Sequence, residues 1–225
     1  MLKQVVVFGS GLGMDIIGNI IEDNLPVEVI KVAIGKEYAE CTESEIREWT
    51  EERLIPYIGK VDAIVLCEPE ITLSSIYFLR QKYPEQEIVG YGQDLSIALE
   101  REHNVRVLLS HTTKRMTRYQ VMKSECGDTE ISEGEYDVIE PEYSRKLGTK
   151  SARSLSTMAS RILDNFSGGL VIIYTPNLIF IKKQLKECVK WRATVVDLCD
   201  SLFRETCKAL KFRGLDGKLV RELKG

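Results

Sequence analysis

The sequence lacks a long apolar run: no stretch approaches the roughly 20 apolar residues that a membrane-spanning helix needs. It also lacks the basic segment followed by an apolar segment that marks a secretory signal, since the strand-like run VVVF begins after four residues. We therefore expect a cytoplasmic location and no membrane partner.

Histidine is scarce and the cysteines are scattered. The chain has two histidines and six cysteines, with no C-x-x-C pair, which argues against a zinc site and against a disulfide framework. We expect reduced thiols and no metal. The net charge of −3 provides no field that would attract nucleic acid, and the pairs Lys114-Arg115 and Lys182-Lys183 are expected to lie on solvated helix faces.

What the sequence does contain is an alternation of strand-like and helix-like segments. Short β-branched runs are separated, for the most part, by 12 to 20 residues with helical periodicity, which is typical of α/β proteins with parallel sheets covered on both faces. The 225 residues suit one large domain or two of roughly a hundred residues. The predicted strands lie at residues 5–8, 27–30, 63–66, 87–89, 105–109, 170–173 and 194–196.

An internal repeat favours two domains. Ala63–Pro69 and Leu170–Pro176 share one pattern: an apolar strand, a reactive side chain, a polar residue and a proline. The reactive residues are Cys67 and Tyr174, and each is followed at the same distance of 21 residues by an apolar residue of a further strand. The pattern predicts two pseudo-symmetric α/β domains, although short strand–helix units of α/β proteins also match by chance.

The predicted halves meet near Gly92 to Arg101, so that residues 1–97 plus 200–225 form the first domain and residues 98–199 the second. Each half opens with a strand that ends in serine, at Ser10 and Ser110. The polar segment Ser124–Lys150 is expected to contain a loop, and the tail Lys211–Gly225 is expected to be weakly ordered.

The glycine-rich turn Gly9–Gly13 follows the first strand, at the sheet edge where parallel α/β proteins bind ligands. Its spacing departs from the dinucleotide fingerprint, because Met14 and Ile16 stand where the third glycine or alanine would be. The backbone N–H groups of such a turn suit a carboxylate or a phosphate. An anion site and a tight turn without a ligand both remain open.

Cys67 is the candidate nucleophile or proton-transfer residue. It ends a buried strand, and Pro69 marks the first turn of the next helix, whose dipole favours a thiolate. A buried structural cysteine is the alternative, and the adjacent Glu68 would oppose thiolate formation if its carboxylate points the same way.

These residues resemble motifs of the aspartate/glutamate racemase family. Phe8–Met14 resembles the F-D-S-G-V-G-G turn of glutamate racemases, and Ile64–Pro69 resembles their V-V-A-C-N-T motif. Leu170–Pro176 is similar to L-V-L-G-C-T-H, and Thr194–Asp197 is similar to T-L-I-D. The resemblance runs in order over nearly the whole chain.

The resemblance implies a two-domain α/β fold with an interdomain cleft and no cofactor or metal. In the family two cysteines transfer protons on opposite faces of the substrate carbon. Cys67 matches the first cysteine, whereas Tyr174 replaces the second, Gly9 replaces the acid that assists the first cysteine, and Pro176 replaces a histidine. The implied substrate-binding residues are Ser10, Gly11, Glu68 and Thr175.

These departures put two-thiol racemisation in doubt, because tyrosine, with a usual pKa near 10, is a poorer base than cysteine. Glu68 also disfavours a dicarboxylate amino acid such as glutamate. One-cysteine relatives catalyse decarboxylation, so we expect either a diverged isomerase or decarboxylase that acts on a small carboxylic or amino acid through Cys67 and Tyr174, or a non-catalytic ligand-binding or regulatory protein. A second copy of the chain is a candidate partner.

Overall fold

The structure is a computed structural model that describes residues 2–35, 41–91, 103–127, 129–135 and 152–212. The chain divides into two compact units, which we call the first unit (Met1–Gly92 with Cys199–Gly225) and the second unit (Gln93–Leu198). No helix of the described residues is both long and apolar enough to span a membrane.

The first unit contains a parallel four-stranded sheet with the strand order β2-β1-β3-β4. Its central strands contain the fully buried apolar runs Val5–Phe8 and Ala63–Leu66, a pattern typical of parallel sheets that are covered on both faces. The elements are β1 Lys3–Gly9, α1 Gly11–Asn24, β2 Val27–Ala33, α2 Glu43–Leu54, β3 Ala63–Leu66, α3 Pro69–Lys82 and β4 Ile88–Val89.

The second unit contains another parallel four-stranded sheet, in the equivalent order β6-β5-β7-β8. A 3₁₀ helix, Pro176–Ile181, follows β7 and leads into α7. The other elements are β5 Asn104–Leu109, α4 His111–Arg115, α5 Thr117–Ser124, β6 Glu130–Glu135, α6 Ala152–Ile162, β7 Gly169–Ile173, α7 Lys182–Val189, β8 Ala193–Asp197 and α8 Leu198–Ala209, the last of which returns the chain to the first unit. The predicted α/β class with two parallel sheets is confirmed.

Strand register confirms the internal repeat residue by residue. Ile64 of β3 pairs with Ile88 of β4, and Val171 of β7 pairs with Val195 of β8. The separation between paired residues is therefore the same in both units, as the ungapped sequence alignment requires. The repeat is a feature of the backbone as well as of the sequence.

Local signals explain where the helices of the first unit begin. Pro69 occupies the first turn of α3, where a missing N–H and a fixed φ are tolerated. Thr42 and Glu45 form a reciprocal capping box at the start of α2. The helical pattern predicted after Pro69 is confirmed, because Ile71 and Leu79 of α3 are fully buried.

The segment Ser124–Lys150, which is expected to contain a loop, also contains a strand. Residues Glu130–Glu135 form β6, which pairs in parallel with β5 along its whole length. The sequence did not predict this strand, because β6 is a polar strand at the edge of the sheet and lacks an apolar run. Residues 136–150 of that segment, and most of the tail predicted to be weakly ordered, lie outside the described residues.

Candidate functional site at two equivalent strand ends

Cys67 and Tyr174 occupy equivalent positions at the carboxyl ends of β3 and β7. The backbone N–H of Cys67 donates a hydrogen bond of 2.9 Å to the carbonyl oxygen of Phe8 on β1. In the second unit the N–H of Tyr174 donates a bond of 2.8 Å to the carbonyl oxygen of Leu108 on β5. The fold therefore places the two predicted catalytic residues on matching backbone positions of separate units, and their joint action stays a prediction.

The thiol of Cys67 lies against Gly9, at the end of β1. Cys67 has no exposed surface, and a Cβ built on Gly9 would overlap its Sγ atom. The same Cβ position lies 3.4 Å from Cδ of Glu68. The absence of a side chain at position 9 therefore makes room for the Cys67 thiol, whereas the Glu68 carboxyl group lies at an ordinary contact distance.

The surroundings of Cys67 favour the neutral thiol. Burial raises the pKa of the thiol well above its usual value, and the negative charge of Glu68 raises it further. Asp15 and Glu70 add smaller contributions in the same direction. The expectation that the helix dipole favours a thiolate is therefore outweighed, and the opposing effect of Glu68 is the one that the structure bears out.

Glu68 is bound to the turn between β1 and α1. Its Oε1 atom accepts a hydrogen bond of 2.7 Å from the hydroxyl of Ser10 and one of 3.1 Å from the backbone N–H of Ser10. Glu68 is buried, with 6% of its surface exposed. Gly11, the first residue of α1, is exposed and has a φ of +37°. The predicted residues Ser10, Gly11 and Glu68 are thus brought together in the first unit.

In the second unit, Tyr174 is a core residue. It is fully buried, and its ring stacks on that of Tyr119 with a centroid distance of 6.4 Å and an interplanar angle of 28°. Thr175, which precedes the 3₁₀ helix, is partly buried and makes no side-chain capping bond to it. The position equivalent to the Cys67 thiol is therefore filled by packed aromatic rings.

The sequence did not predict a polar cluster around the hydroxyl of Tyr119, whose ring stacks on Tyr174. The hydroxyl of Tyr119 donates a 3.0 Å hydrogen bond to Glu133 of β6. Lys123 and Lys114 lie 2.8 Å and 3.5 Å from the two carboxylate oxygens of Glu133, whose side chain is only 8% exposed. Burial, followed by the charge of Glu133, raises the pKa of the Tyr119 hydroxyl. The sequence of β6, EISEGE, has no regular alternation that signals this cluster.

The basic pairs of the sequence differ from expectation at Lys182. Its Nζ atom lies 3.1 Å from Asp197 at the end of β8, and the two side chains are 13% and 0% exposed. Lys182 is thus a partly buried partner of a buried acid and does not lie on a solvated helix face, because β8 ends in an acid that needs a partner. The pair belongs to the same strand edge as Tyr174.

The described residues contain no group of three or more His, Cys, Asp or Glu side chains that could hold a metal ion. The six cysteines, all of them within the described ranges, form no disulfide. A pocket of about 330 Å³ in the first unit is lined by residues of β2 and α2, among them Trp49 and Arg53, and by none of the predicted site residues.

The sequence matches no protein-family model and no curated protein, whereas the fold matches solved structures. Glutamate racemase from Thermus thermophilus, solved with β-chloro-D-alanine, superposes with a TM-score of 0.75 at 16% identity, covering 96% of this chain and 83% of that one. The maleate isomerase Iso from Pseudomonas putida S16 has a TM-score of 0.58 at 13% identity, covering 94% of each chain. Aspartate racemase from Picrophilus torridus has a TM-score of 0.58 at 11% identity, covering 93% and 94%.

At these identities the likeness establishes the fold. The chain has the fold of the aspartate/glutamate racemase superfamily, so the resemblance predicted from its motifs is confirmed at that level. Of these three structures, the glutamate racemase is the more similar in TM-score, and its two-domain α/β architecture matches the two four-stranded sheets of this chain.

Proposed function

We propose that this protein is a cofactor-independent proton-transfer enzyme that acts at the α-carbon of a small carboxylic acid, as an isomerase or a decarboxylase, with Cys67 as its one catalytic thiol. The observation that carries the proposal is the buried Cys67 thiol at the carboxyl end of β3, held beside the Glu68 carboxylate. The racemase fold supports a reaction of this general class.

A neutral thiol is suited to donating a proton. Burial and the negative charge of Glu68 raise the pKa of Cys67, so little thiolate is present near neutral pH to act as a base. General acid catalysis requires the protonated form, which this environment preserves. The electrostatics of the first unit therefore disfavour Cys67 as a base and leave the protonated thiol as its available form.

Decarboxylation of a malonate-type acid needs a proton donor and no base, because the second carbonyl group of the substrate delocalises the electron pair that CO₂ leaves behind. The C–C bond to a carboxylate breaks, its electron pair stays on the α-carbon, and CO₂ leaves. The S–H proton of Cys67 moves to that carbon, and the thiolate regains a proton from water. Racemisation also requires a base, and we therefore favour the decarboxylase over the racemase.

Tyr174 is proposed as a second proton donor or as an oxyanion donor, because it follows β7 as Cys67 follows β3. Thr175, the next residue, is proposed to bind the ligand. The β-chloro-D-alanine bound to the Thermus racemase supports an amino acid or a similar small carboxylate as the ligand class. A cytoplasmic location and a homodimer stay predictions.

The test is proton transfer in deuterated water. The protein is incubated with amino acids, 2-substituted malonates and malonate half-esters, and deuterium at the α-carbon is followed by NMR. We expect incorporation with wild type and a loss of about 10²–10⁴-fold in rate for Cys67→Ser, the usual range for a general acid.

Cys199→Ser is the matched control, because Cys199 is also a buried cysteine of the first unit, 3% exposed. This variant should retain the exchange. Equal rates in wild type and Cys67→Ser would contradict the role of the thiol, and no incorporation across the whole panel would contradict the enzyme.

One observation favours a second function, that of a non-catalytic ligand-binding or regulatory protein with a racemase fold. The donors of Ser10 are already engaged by Glu68, and Cys67 is fully buried. This function predicts that panel compounds raise the Tm without any deuterium exchange, whereas the enzyme requires exchange.

A further inference from the structure

The first unit contains a bound carboxylate that the chain itself supplies. Both the hydroxyl and the backbone N–H of Ser10 donate to the same oxygen of Glu68, over distances of 2.7 Å and 3.1 Å. Ser10 and Glu68 are 58 residues apart in the sequence. The turn between β1 and α1 is thus a carboxylate-binding turn with an occupant.

The use of the Ser10 hydroxyl is specific to this turn. Ser10 precedes α1 and makes no side-chain capping bond to that helix. Its equivalent, Ser110, precedes α4 and accepts a 3.0 Å hydrogen bond from the backbone N–H of Thr113. The side chain of Ser10 therefore binds the carboxylate of Glu68, whereas the side chain of Ser110 caps the helix that follows it.

The carboxyl group of Glu68 also lies close to the Cys67 thiol, on the side of Gly9. A Cβ built on Gly9 would overlap the Sγ of Cys67 and would lie 3.4 Å from the Cδ of Glu68. Glu68 is only 6% exposed, so its charge is screened much less than a charge on the surface would be. A second carboxylate brought to Ser10 would find the N–H and the hydroxyl already bound to Glu68. It would also be repelled by the negative charge of Glu68.

We propose that Glu68 is a specificity-determining residue that fills the carboxylate-binding turn of the first unit, so that the turn does not accept a carboxylate from the ligand. The ligand beside Cys67 is then an acid with a single carboxylate, such as a malonate half-ester, and not a dicarboxylate. The proposal deepens the proposed function and rests on it only in placing a ligand beside Cys67.

The experiment replaces the internal carboxylate by a free one. In Glu68→Ala the donors of Ser10 are released, and acetate should occupy the vacated position. We expect acetate at about ten times its dissociation constant to raise the Tm of Glu68→Ala by about 3–6 °C, the shift that this degree of saturation produces in a chain of this size. Wild type should show no such rise.

Three controls distinguish this result from a salt effect. Sodium chloride at equal ionic strength and neutral acetamide should not raise the Tm of Glu68→Ala. In the double variant Ser10→Ala/Glu68→Ala, the affinity for acetate measured by NMR titration should fall about tenfold or more, since a hydrogen bond to a charged group is lost.

The proposal would be overturned if acetate did not raise the Tm of folded Glu68→Ala, or if it raised the Tm of wild type by the same amount. If Glu68→Ala does not fold in buffer, the folded fraction after dilution from urea is measured by circular dichroism with and without acetate, and acetate-independent recovery overturns it equally. None of these readouts involves turnover, so failure of the deuterium test would leave them unchanged.

Discussion

The carboxyl ends of β3 and β7 share a backbone arrangement and differ in what their side chains do. In the first unit, Gly9 has no side chain, and the Cys67 thiol and the Glu68 carboxyl group lie beside it. In the second unit, the equivalent residues Leu109 and Tyr174 are both fully buried core residues. The two strand ends therefore differ in their side chains: a thiol and a carboxyl group lie at the end of β3, whereas two large side chains are buried at the ends of β5 and β7.

The edge strands differ in charge at matching positions. Val7 of β1 pairs with Lys31 of β2, whereas Val107 of β5 pairs with Glu133 of β6. Lys31 is 3.3 Å from Asp15 of α1, and both side chains are substantially exposed. Glu133 is buried with its lysine partners. At this pair of matching positions, the charged residue is therefore exposed in the first unit and buried in the second.

The largest effect is expected from giving the first unit a side chain at position 9. In Gly9→Ala the new Cβ overlaps the Sγ of Cys67, and overpacking of a core costs about 1–3 kcal/mol of unfolding free energy. Urea unfolding monitored by circular dichroism measures the loss. The substitution tests whether the small residue, and not the backbone, is what distinguishes the two strand ends.

The double variant Gly9→Ala/Cys67→Ala provides the control for this clash. Removing Sγ relieves the overlap, so the double variant should be more stable than the sum of the single losses predicts, with a coupling of about 0.5–3 kcal/mol. Additive losses would mean that the alanine methyl group finds space elsewhere and that Cys67 does not require a glycine partner.

Much of the fold could be predicted from the sequence because the buried strands are near-continuous apolar runs. The β3 and β7 segments also share a proline two residues after the reactive side chain, at Pro69 and Pro176, and this register survives in the structure. Local composition was sufficient for these elements, since burial on both faces leaves an unambiguous pattern.

The partners of the site residues could not be predicted in the same way. The contact between Ser10 and Glu68 joins residues 58 positions apart, and the buried Glu133 depends on Tyr119 and Lys123 from a helix of the same unit. No local periodicity encodes such pairs. The edge strand β6 was missed for the same reason, because its polar residues are satisfied by tertiary contacts.

A smaller effect is expected in the pH dependence of stability. The thiol of an unfolded chain ionises above about pH 8.5, whereas burial and Glu68 raise the pKa of Cys67 in the folded state. The unfolded state then binds fewer protons, so the unfolding free energy falls by up to about 1.4 kcal/mol per pH unit above pH 8.5, until the folded pKa is reached. Comparing urea unfolding of wild type and Cys67→Ala from pH 7 to pH 10 isolates this slope.

The second unit provides the contrast for that slope. The pKa of Tyr119 is also raised, by burial and by Glu133, but an unfolded tyrosine ionises only near pH 10. Tyr119→Phe should therefore match wild type in slope below about pH 9, where Cys67→Ala already differs. Identical slopes for wild type and Cys67→Ala would contradict a neutral buried thiol.

The smallest effect is expected at the two serines. Ser110 accepts a hydrogen bond from the N–H of Thr113, and its replacement by alanine should cost about 1 kcal/mol of unfolding free energy, the usual value of a helix cap. Ser110→Gly should cost only about 0.3 kcal/mol of unfolding free energy, because glycine is tolerated at this position of a helix. Ser10→Ala should behave differently, because its hydroxyl serves Glu68: its cost, measured by urea unfolding, should shrink in a Glu68→Ala background, whereas the cost of Ser110→Ala should not change. If Glu68→Ala changes the cost of both serine substitutions by the same amount, the Ser10 hydroxyl is not specific for Glu68, which would contradict the distinction drawn between the two turns.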